Sequence, residues 1–365
     1  MQTTPLHDIH VGLGARMMEF AGFDMPVHYG SIIEEHHAVR KAAGMFDVSH
    51  MGEVFASGPN AEAFIQQLVT NNVTQLVDGQ ALYTVMCRPD GGIIDDLLVY
   101  RIREGFYMLV VNASNIATDF AWMQENNSAG AELGDFSDQM GLIAVQGPAA
   151  MEVVSRVAGF DLTGLPFYRF MRPEPGAFMD CEKIILSHTG YTGEPGLEIY
   201  CEAERAAEIW SAVAAAGESD GLRPTGLGCR DTLRLEAGYC LYGNDLTGDT
   251  NPLEAGLGWL VKLEAGDFIG RDALVKAKAD GLTRRLVAFT VEGRGIPRAG
   301  CEIVGPDGTI IGNVTSGTQS PTLGIGIGMG YVRNEPEFRK PGSEIGIQVR
   351  NKVLPAVVRR PPLHK

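Results

Sequence analysis

Two adjacent carboxylates behind a pair of glycines are the first place in this sequence to look for chemistry: Gly91–Gly92–Ile93–Ile94–Asp95–Asp96–Leu97. In an extended chain, neighbouring side chains project to opposite faces, so one aspartate can face solvent while the other points inward. An inward carboxylate must be hydrogen-bonded or used, because burying it bare is costly. The plainer reading is a Gly–Gly turn capped by the aspartates. The residues by themselves leave both readings open.

A second candidate is Thr189–Gly190–Tyr191–Thr192–Gly193–Glu194–Pro195–Gly196–Leu197–Glu198. Its glycines allow close backbone approach to a ligand, and Tyr191 offers a ring for stacking. Glu194 and Glu198 could accept hydrogen bonds from an amino-substituted heterocycle. Taken alone, the stretch reads better as a glycine-rich loop entering the strand Leu197–Tyr200. In Gly226–Leu227–Gly228–Cys229–Arg230–Asp231–Thr232–Leu233–Arg234–Leu235–Glu236, Arg230 could hold a carboxylate bidentately, and Asp231, Arg234 and Glu236 read as ion-pairing residues. The dinucleotide fingerprint is missing there. Gly324–Ile325–Gly326–Ile327–Gly328 lacks the following helix or lysine of a phosphate loop and is assigned to packing.

His36 and His37 are adjacent on an expected helix and diverge around its axis, so they cannot share a metal. His50, within Asp47–Val48–Ser49–His50–Met51, is the best placed histidine and reads as a satisfied structural residue. The six cysteines form no CxxC pair and read as buried free thiols. No metal and no nucleotide are expected.

Elements that would position these residues follow from patterning. Ile32–Lys41 looks helical, with Gly44 as its C-cap. Gly58–Pro59 opens a helix carrying Ala61, Phe64, Ile65 and Leu68 after the short strand Glu53–Ala56. Leu97–Ile102 and Phe106–Asn112 form a hairpin around Arg103–Glu104–Gly105, and Ser114 can cap the next helix. Gly147–Pro148 repeats the theme after the strand Leu142–Val145. Two strand–Gly–Pro–helix units suggest a split β-α-β arrangement in an α+β body. From about Arg284, short strands (Leu286–Val291, Glu302–Val304, Thr309–Val314, Ile327–Val332, Glu344–Val349) alternate with turns and predict a small barrel. Asp267–Asp280, including the helix Asp272–Ala279, is the expected hinge.

A chain of 365 residues suggests two or three domains. Its net charge of −15 argues against a nucleic-acid surface. No apolar run is long enough to span a membrane, and Met1–Pro5 does not begin like a signal peptide, so cytoplasm is the expected compartment.

These motifs occur together in a recognisable order. Thr4–Pro5–Leu6–His7, Phe20–Pro26, Gly44–Met51, GGIIDDL, Thr189–Gly196, Gly226–Glu236, Asn251–Pro252, Thr315–Gly317 and Ser320–Gly324 resemble the glycine-cleavage T-protein family. The resemblance runs from Thr4 to about Pro361. It implies a three-domain cloverleaf around a central folate channel. Residues 1–270 would form the body, as two intertwined α+β subdomains (about 1–50 plus 140–270, and 51–139), with a ferredoxin-like part. Residues 284–365 would form a C-terminal β-barrel or jelly roll.

It also implies an aminomethyltransferase that takes a C1 unit from lipoylated H-protein to tetrahydrofolate as co-substrate. The products would be 5,10-methylenetetrahydrofolate and ammonia. Asp96 matches the catalytic aspartate, Glu198 the pterin-holding glutamate and Arg230 the arginine of the folate site. Tyr83, Asn112, Tyr168 and Tyr191 match channel-lining positions. A carboxylate beside the reacting nitrogen would stabilise developing positive charge and can take a proton. Pro361–Pro362–Leu363 stands where an aromatic often follows the proline. A folate-dependent demethylase, or a non-enzymatic folate-binding assembly factor, would share the fold.

Overall fold

The computed structural model describes all residues from Met1 to Lys365. The chain divides into two compact units. The first comprises Met1–Ile65, Val73–Leu82 and Leu97–Asp231, and the second Gln66–Asn72, Tyr83–Asp96 and Thr232–Lys365.

The first unit is built on the Gly–Pro repeat. One six-stranded sheet runs in the order Phe170–Met171, Ile184–Ser187, Gly196–Glu202, Met140–Gln146, Gly44–Asp47, Arg223–Pro224. Its strands pair antiparallel except for the last two, which are parallel. A five-stranded sheet runs Gln80–Cys87, Ile93–Arg103, Phe106–Val111, Gly52–Ser57, Glu132–Asp135. Residues 83–87 and 93–96 of its first two strands belong to the second unit.

The two sheets share one connectivity. In each, a strand leads through Gly–Pro into a helix (Ala61–Leu68 or Ala150–Ala158), then a meander, a second helix (Ile116–Glu125 or Ala206–Gly217) and a last strand. This is the split β-α-β order that the repeat predicts. The only topological difference is Gly44–Asp47, inserted between first and last strands of the six-stranded sheet.

Alternation sorts the faces of that sheet. Leu197, Ile199 and Cys201 join Ile143, Val145, Val154 and Trp210 in the apolar core beneath the helices. Glu198 and Tyr200 therefore leave from the opposite face.

Two local expectations fail. The helix Ile32–Lys41 forms with Ser31 as N-cap, but Ala42 is its C-cap and Gly44 begins a strand. Gly44 is required there by packing, since a Cβ would meet Val39 Cγ2 at 2.4 Å. Ser114 does not cap either, because a 3₁₀ turn, Ala113–Asn115, precedes the helix and Asn115 becomes its N-cap.

The second unit ends in a closed six-stranded barrel, Arg284–Val291, Gly326–Arg333, Ile310–Gln319, Glu302–Val304, Glu344–Val349, Lys352–Arg359. Phe289, Ile303, Val314, Val332 and Ile347 fill it. The five expected strands are present, Glu302–Val304 and Glu344–Val349 with the expected bounds and the other three with shifted ends. The sixth, Lys352–Arg359, reads poorly from sequence because Pro355 lacks a ladder donor. It closes the barrel nonetheless, Ala356 pairing with both Ile345 and Val291. A buried ion pair, Arg234 Nη1 to Asp245 Oδ2 at 2.8 Å, ties the helix Leu227–Ala237 into this unit, with Ser316 also donating to Asp245 at 2.9 Å.

Candidate functional site

Asp90 resolves what the carboxylate pair does. The Gly92 N–H donates to Asp90 Oδ1 at 3.0 Å, and the turn closes through Gly91 N–H to Arg88 O at 2.9 Å. Gly92 must be glycine, because a Cβ would lie 2.1 Å from the Gly248 carbonyl oxygen. The turn is thus capped by Asp90, and Asp95 and Asp96 are left in the strand Ile93–Arg103. The plainer reading of that pair as caps is overturned.

Alternation holds, but the wholly buried member is Asp95, which has 0% exposure. Asp96 is half-buried and accepts the Tyr83 hydroxyl at Oδ2, 2.8 Å. The Tyr83 ring lies 6.2 Å from that of Trp259, which is 60% exposed. All three belong to the second unit. An exposed tryptophan beside the tyrosine that bonds this carboxylate is a feature that sequence alone did not signal.

Glu198 stands in the first unit, on the polar face of the six-stranded sheet. The register places Ser187, Glu198, Ala144 and Phe46 side by side on four neighbouring strands. The small Ala144 stands between Glu198 and Phe46 in that row. Thr189 Oγ1 donates to Glu198 Oε2 at 2.5 Å, and Ser187 Oγ lies 2.9 Å from the same hydroxyl. Tyr100 extends the network, its hydroxyl 3.0 Å from that of Tyr200 and 3.2 Å from Thr189 Oγ1. Burial pushes the Glu198 carboxyl above the usual range, while the Thr189 bond and the Arg230 charge pull it back. Arg230 lies over the Tyr191 ring, 4.7 Å from its centroid, and burial lowers its own value.

The loop before Glu198 is tightly held. Gln146 Nε2 donates to Thr189 O at 3.1 Å, and the Thr192 hydroxyl donates to Gln146 Oε1 at 2.9 Å. A Cβ on Gly190 would lie 2.0 Å from Gln146 Oε1, so only glycine permits this approach. Glu194 is engaged in an ion pair. It pairs with Arg40, Nη1 to Oε1 at 2.8 Å, and fastens the loop to the helix Ile32–Lys41.

Structure thus brings Glu198, Arg230 and Tyr191 together in one unit, and Asp96 with Tyr83 in the other. Asn112 follows the strand Phe106–Val111, and its carbonyl accepts the Asn115 N–H. Tyr168 has φ of 61°, a left-handed conformation that costs an aromatic residue about 1–3 kcal/mol and is concentrated at ligand sites. Its N–H is held by His188 O at 3.0 Å.

One expectation about a buried histidine fails, and one buried carboxyl went unrecognised. His50 is not satisfied, since its Nδ1 has no partner. Glu53 is 1% exposed with Oε1 unpartnered, and burial, with Asp135 and Glu198 nearby, pushes its carboxyl well up. No group of three or more His, Cys, Asp or Glu side chains is placed to hold a metal ion. Cys87, Cys181, Cys201, Cys229 and Cys240 are buried free thiols, whereas Cys301 is partly exposed. No helix is long and apolar enough to cross a membrane.

An α+β body of two split β-α-β repeats followed by a closed barrel defines a recognisable class. A family model described as the GCVT N-terminal domain matches residues 6–265, and the glycine cleavage T-protein C-terminal barrel domain matches residues 284–365. An aminomethyltransferase of Bacteroides thetaiotaomicron is 51% identical over 366 residues, covering 100% of each chain. One of Halothermothrix orenii is 52% identical over 362 residues, covering 99% of each. The crystal structure of glycine cleavage system aminomethyltransferase T from Bartonella henselae superimposes with a TM-score of 0.91 at 33% identity, covering 99% of this chain and 98% of that one. The chain belongs to the glycine cleavage T-protein family. Its activity is that of an aminomethyltransferase of glycine cleavage.

Proposed function

We propose that the chain transfers the aminomethyl-derived C1 unit from the lipoyl arm of H-protein to tetrahydrofolate in the cytoplasm, releasing ammonia. The observation that carries this reading is the half-buried Asp96 carboxylate oriented by the Tyr83 hydroxyl. We divide the chain into a folate-binding body, residues 1–270, with subdomains of about 1–50 plus 140–270 and 51–139, and a barrel, residues 284–365.

The donor set fits a folate. A buried carboxylate retains acceptor capacity beyond its one bond from Thr189, which suits the N–H edge of an amino-substituted heterocycle. Tyr191 offers a ring, and Arg230 against its face supplies a positive potential that favours the ionised form of Glu198. Tyr168 and Asn112 would contribute further contacts in the first unit. When bound, tetrahydrofolate supplies the amine that receives the C1 unit.

Asp96 then acts on the reacting centre. Its charge stabilises positive charge developing on the aminomethyl group as the C–S bond weakens, and its oxygen can hold the proton lost by the receiving nitrogen. Tyr83 fixes the carboxylate's orientation, so little rearrangement is needed at the moment of transfer. Glu198 orients rather than reacts.

The test is ammonia release from aminomethylated, lipoylated H-protein in the presence of tetrahydrofolate. Turnover with that donor, and none with small methylated amines, is the expected result. The reverse pattern would make the chain a demethylase and overturn the proposal.

A further inference from the structure

The loop between the strands Ile184–Ser187 and Gly196–Glu202 is longer and more firmly held than strand connection requires. Pairing between the two strands ends at Ser187 and Glu198, where a turn of about two to five residues would serve. Residues 188–197 intervene instead. Two side chains from elsewhere in the first unit pin this stretch. Gln146 donates to Thr189 O and accepts the Thr192 hydroxyl. Arg40 Nη1 donates to Thr192 O and to Glu194 Oε1, each at 2.8 Å. Thr192 is thus gripped by its hydroxyl on one side and its carbonyl on the other, and is fully buried.

Between these anchors lie the groups assigned to ligand recognition. Thr189 donates to Glu198 Oε2 at 2.5 Å, and the Tyr191 ring lies 4.7 Å from the Arg230 guanidinium carbon. Gly190 and Gly193 bracket Tyr191 and Thr192, so the backbone here has many shapes open to it and its one shape must be imposed from outside. Arg40 is suited to impose it. It stands on the helix Ile32–Lys41, a rigid element rather than another loop. Its pair with Glu194 is largely enclosed, the two side chains being 8% and 15% exposed, so solvent and salt screen it less than a surface pair.

We infer that Arg40 is a positioning residue for folate binding. By holding Thr192 and Glu194 it keeps Tyr191 against Arg230 and Thr189 on Glu198, so the recognition groups are in place before the ligand arrives. This rests on the reading of Glu198, Arg230 and Tyr191 as the folate site. Arg40 acts through the loop and not on the reacting atoms. A loop released from Arg40 spends part of its time in other shapes, and apparent affinity falls with the fraction that stays competent. Once folate is bound the loop is again in place, and turnover proceeds as before.

The experiment compares Arg40→Met, Arg40→Lys, Glu194→Ala and Glu198→Gln with wild type. Three quantities are measured: the dissociation constant of 5-formyltetrahydrofolate, kcat at saturating tetrahydrofolate, and hydrogen exchange of the backbone amides across residues 189–194. Arg40→Met is expected to weaken folate binding about tenfold and to keep kcat within about twofold. Amide exchange across the loop should quicken in the free variant, and protection should return on saturation with 5-formyltetrahydrofolate. Arg40→Lys, which keeps a cation facing Glu194, should recover most of the affinity. Glu194→Ala breaks the same clamp from the other side, with an expected loss of about three- to tenfold, and decides the matter if Arg40→Met does not fold. Affinity within about twofold of wild type in folded Arg40→Met, or in Glu194→Ala in its stead, overturns the inference even if Tm falls, since the pair then serves only the fold. A loss in kcat as large as the loss in affinity also overturns it. If Glu198→Gln loses affinity while Arg40→Met keeps it, only the role of Arg40 fails. If both keep it, the reading of the site fails as well.

Discussion

The two carboxylates proposed for one reaction live in contrasting surroundings. Glu198 is 7% exposed, at the centre of a sheet, with Thr189, Ser187, Tyr100 and Tyr200 in a continuous hydroxyl network around it. Asp96 is half-buried near the start of its strand, with a phenol as donor and an exposed tryptophan close by. A carboxylate locked in a network is suited to fixing a ligand's orientation, since its oxygens cannot wander. A carboxylate open to solvent on one side can meet an incoming donor and exchange a proton. On the proposed reading, burial divides binding from chemistry.

The largest effect should come from the half-buried member. Asp96→Asn is expected to lower aminomethyl transfer by about 10²- to 10⁴-fold while the folate dissociation constant stays near wild type. Unchanged turnover would remove Asp96 from the mechanism. Glu198→Gln should do the opposite, weakening folate binding by about 10- to 100-fold as a charge-assisted bond is lost, with a smaller change in kcat. If its main effect falls on kcat at saturating folate, the division between the two carboxylates is wrong.

Tyr83→Phe sharpens the comparison further. It removes the 2.8 Å bond to Asp96 but keeps the ring beside Trp259, and should lower kcat about three- to tenfold with little change in folate affinity. Equal losses in kcat and affinity would mean that Tyr83 acts on the folate directly.

The smallest effect concerns Glu53, a buried carboxyl with no charged partner to lower it. Its value in the folded chain lies above that in the unfolded chain. Its contribution to stability is therefore full below the unfolded value and is lost as pH rises towards the folded one. Glu53→Gln, uncharged at every pH, should raise the Tm near neutral pH by about 2–4 °C and flatten the decline above the unfolded value. A lower Tm would point to a partner for the ionised Glu53.

Much of this was legible in the chain itself. Gly58–Pro59 and Gly147–Pro148 announced the two repeats, because glycine and proline act through local backbone geometry that any context must respect. Barrel strands were visible through turn spacing, apart from the one containing Pro355. Alternation at Asp95–Asp96 was a local property too. Which of the two is enclosed was not, and the enclosed one proved to be Asp95.

What the sequence by itself determined, then, was the set of elements and the order of chemically capable residues, since both follow from spacing along the chain. Tertiary structure decided how each capable group is used. Glu194 and Glu198 are four residues apart and chemically alike, yet Arg40 pairs with the first, and sheet register sets the second beside Ala144 with Thr189 as its donor. His50 looked like a satisfied histidine because satisfaction depends on atoms distant in sequence. Sheet register and burial choose those partners, and they exist only once the chain has folded.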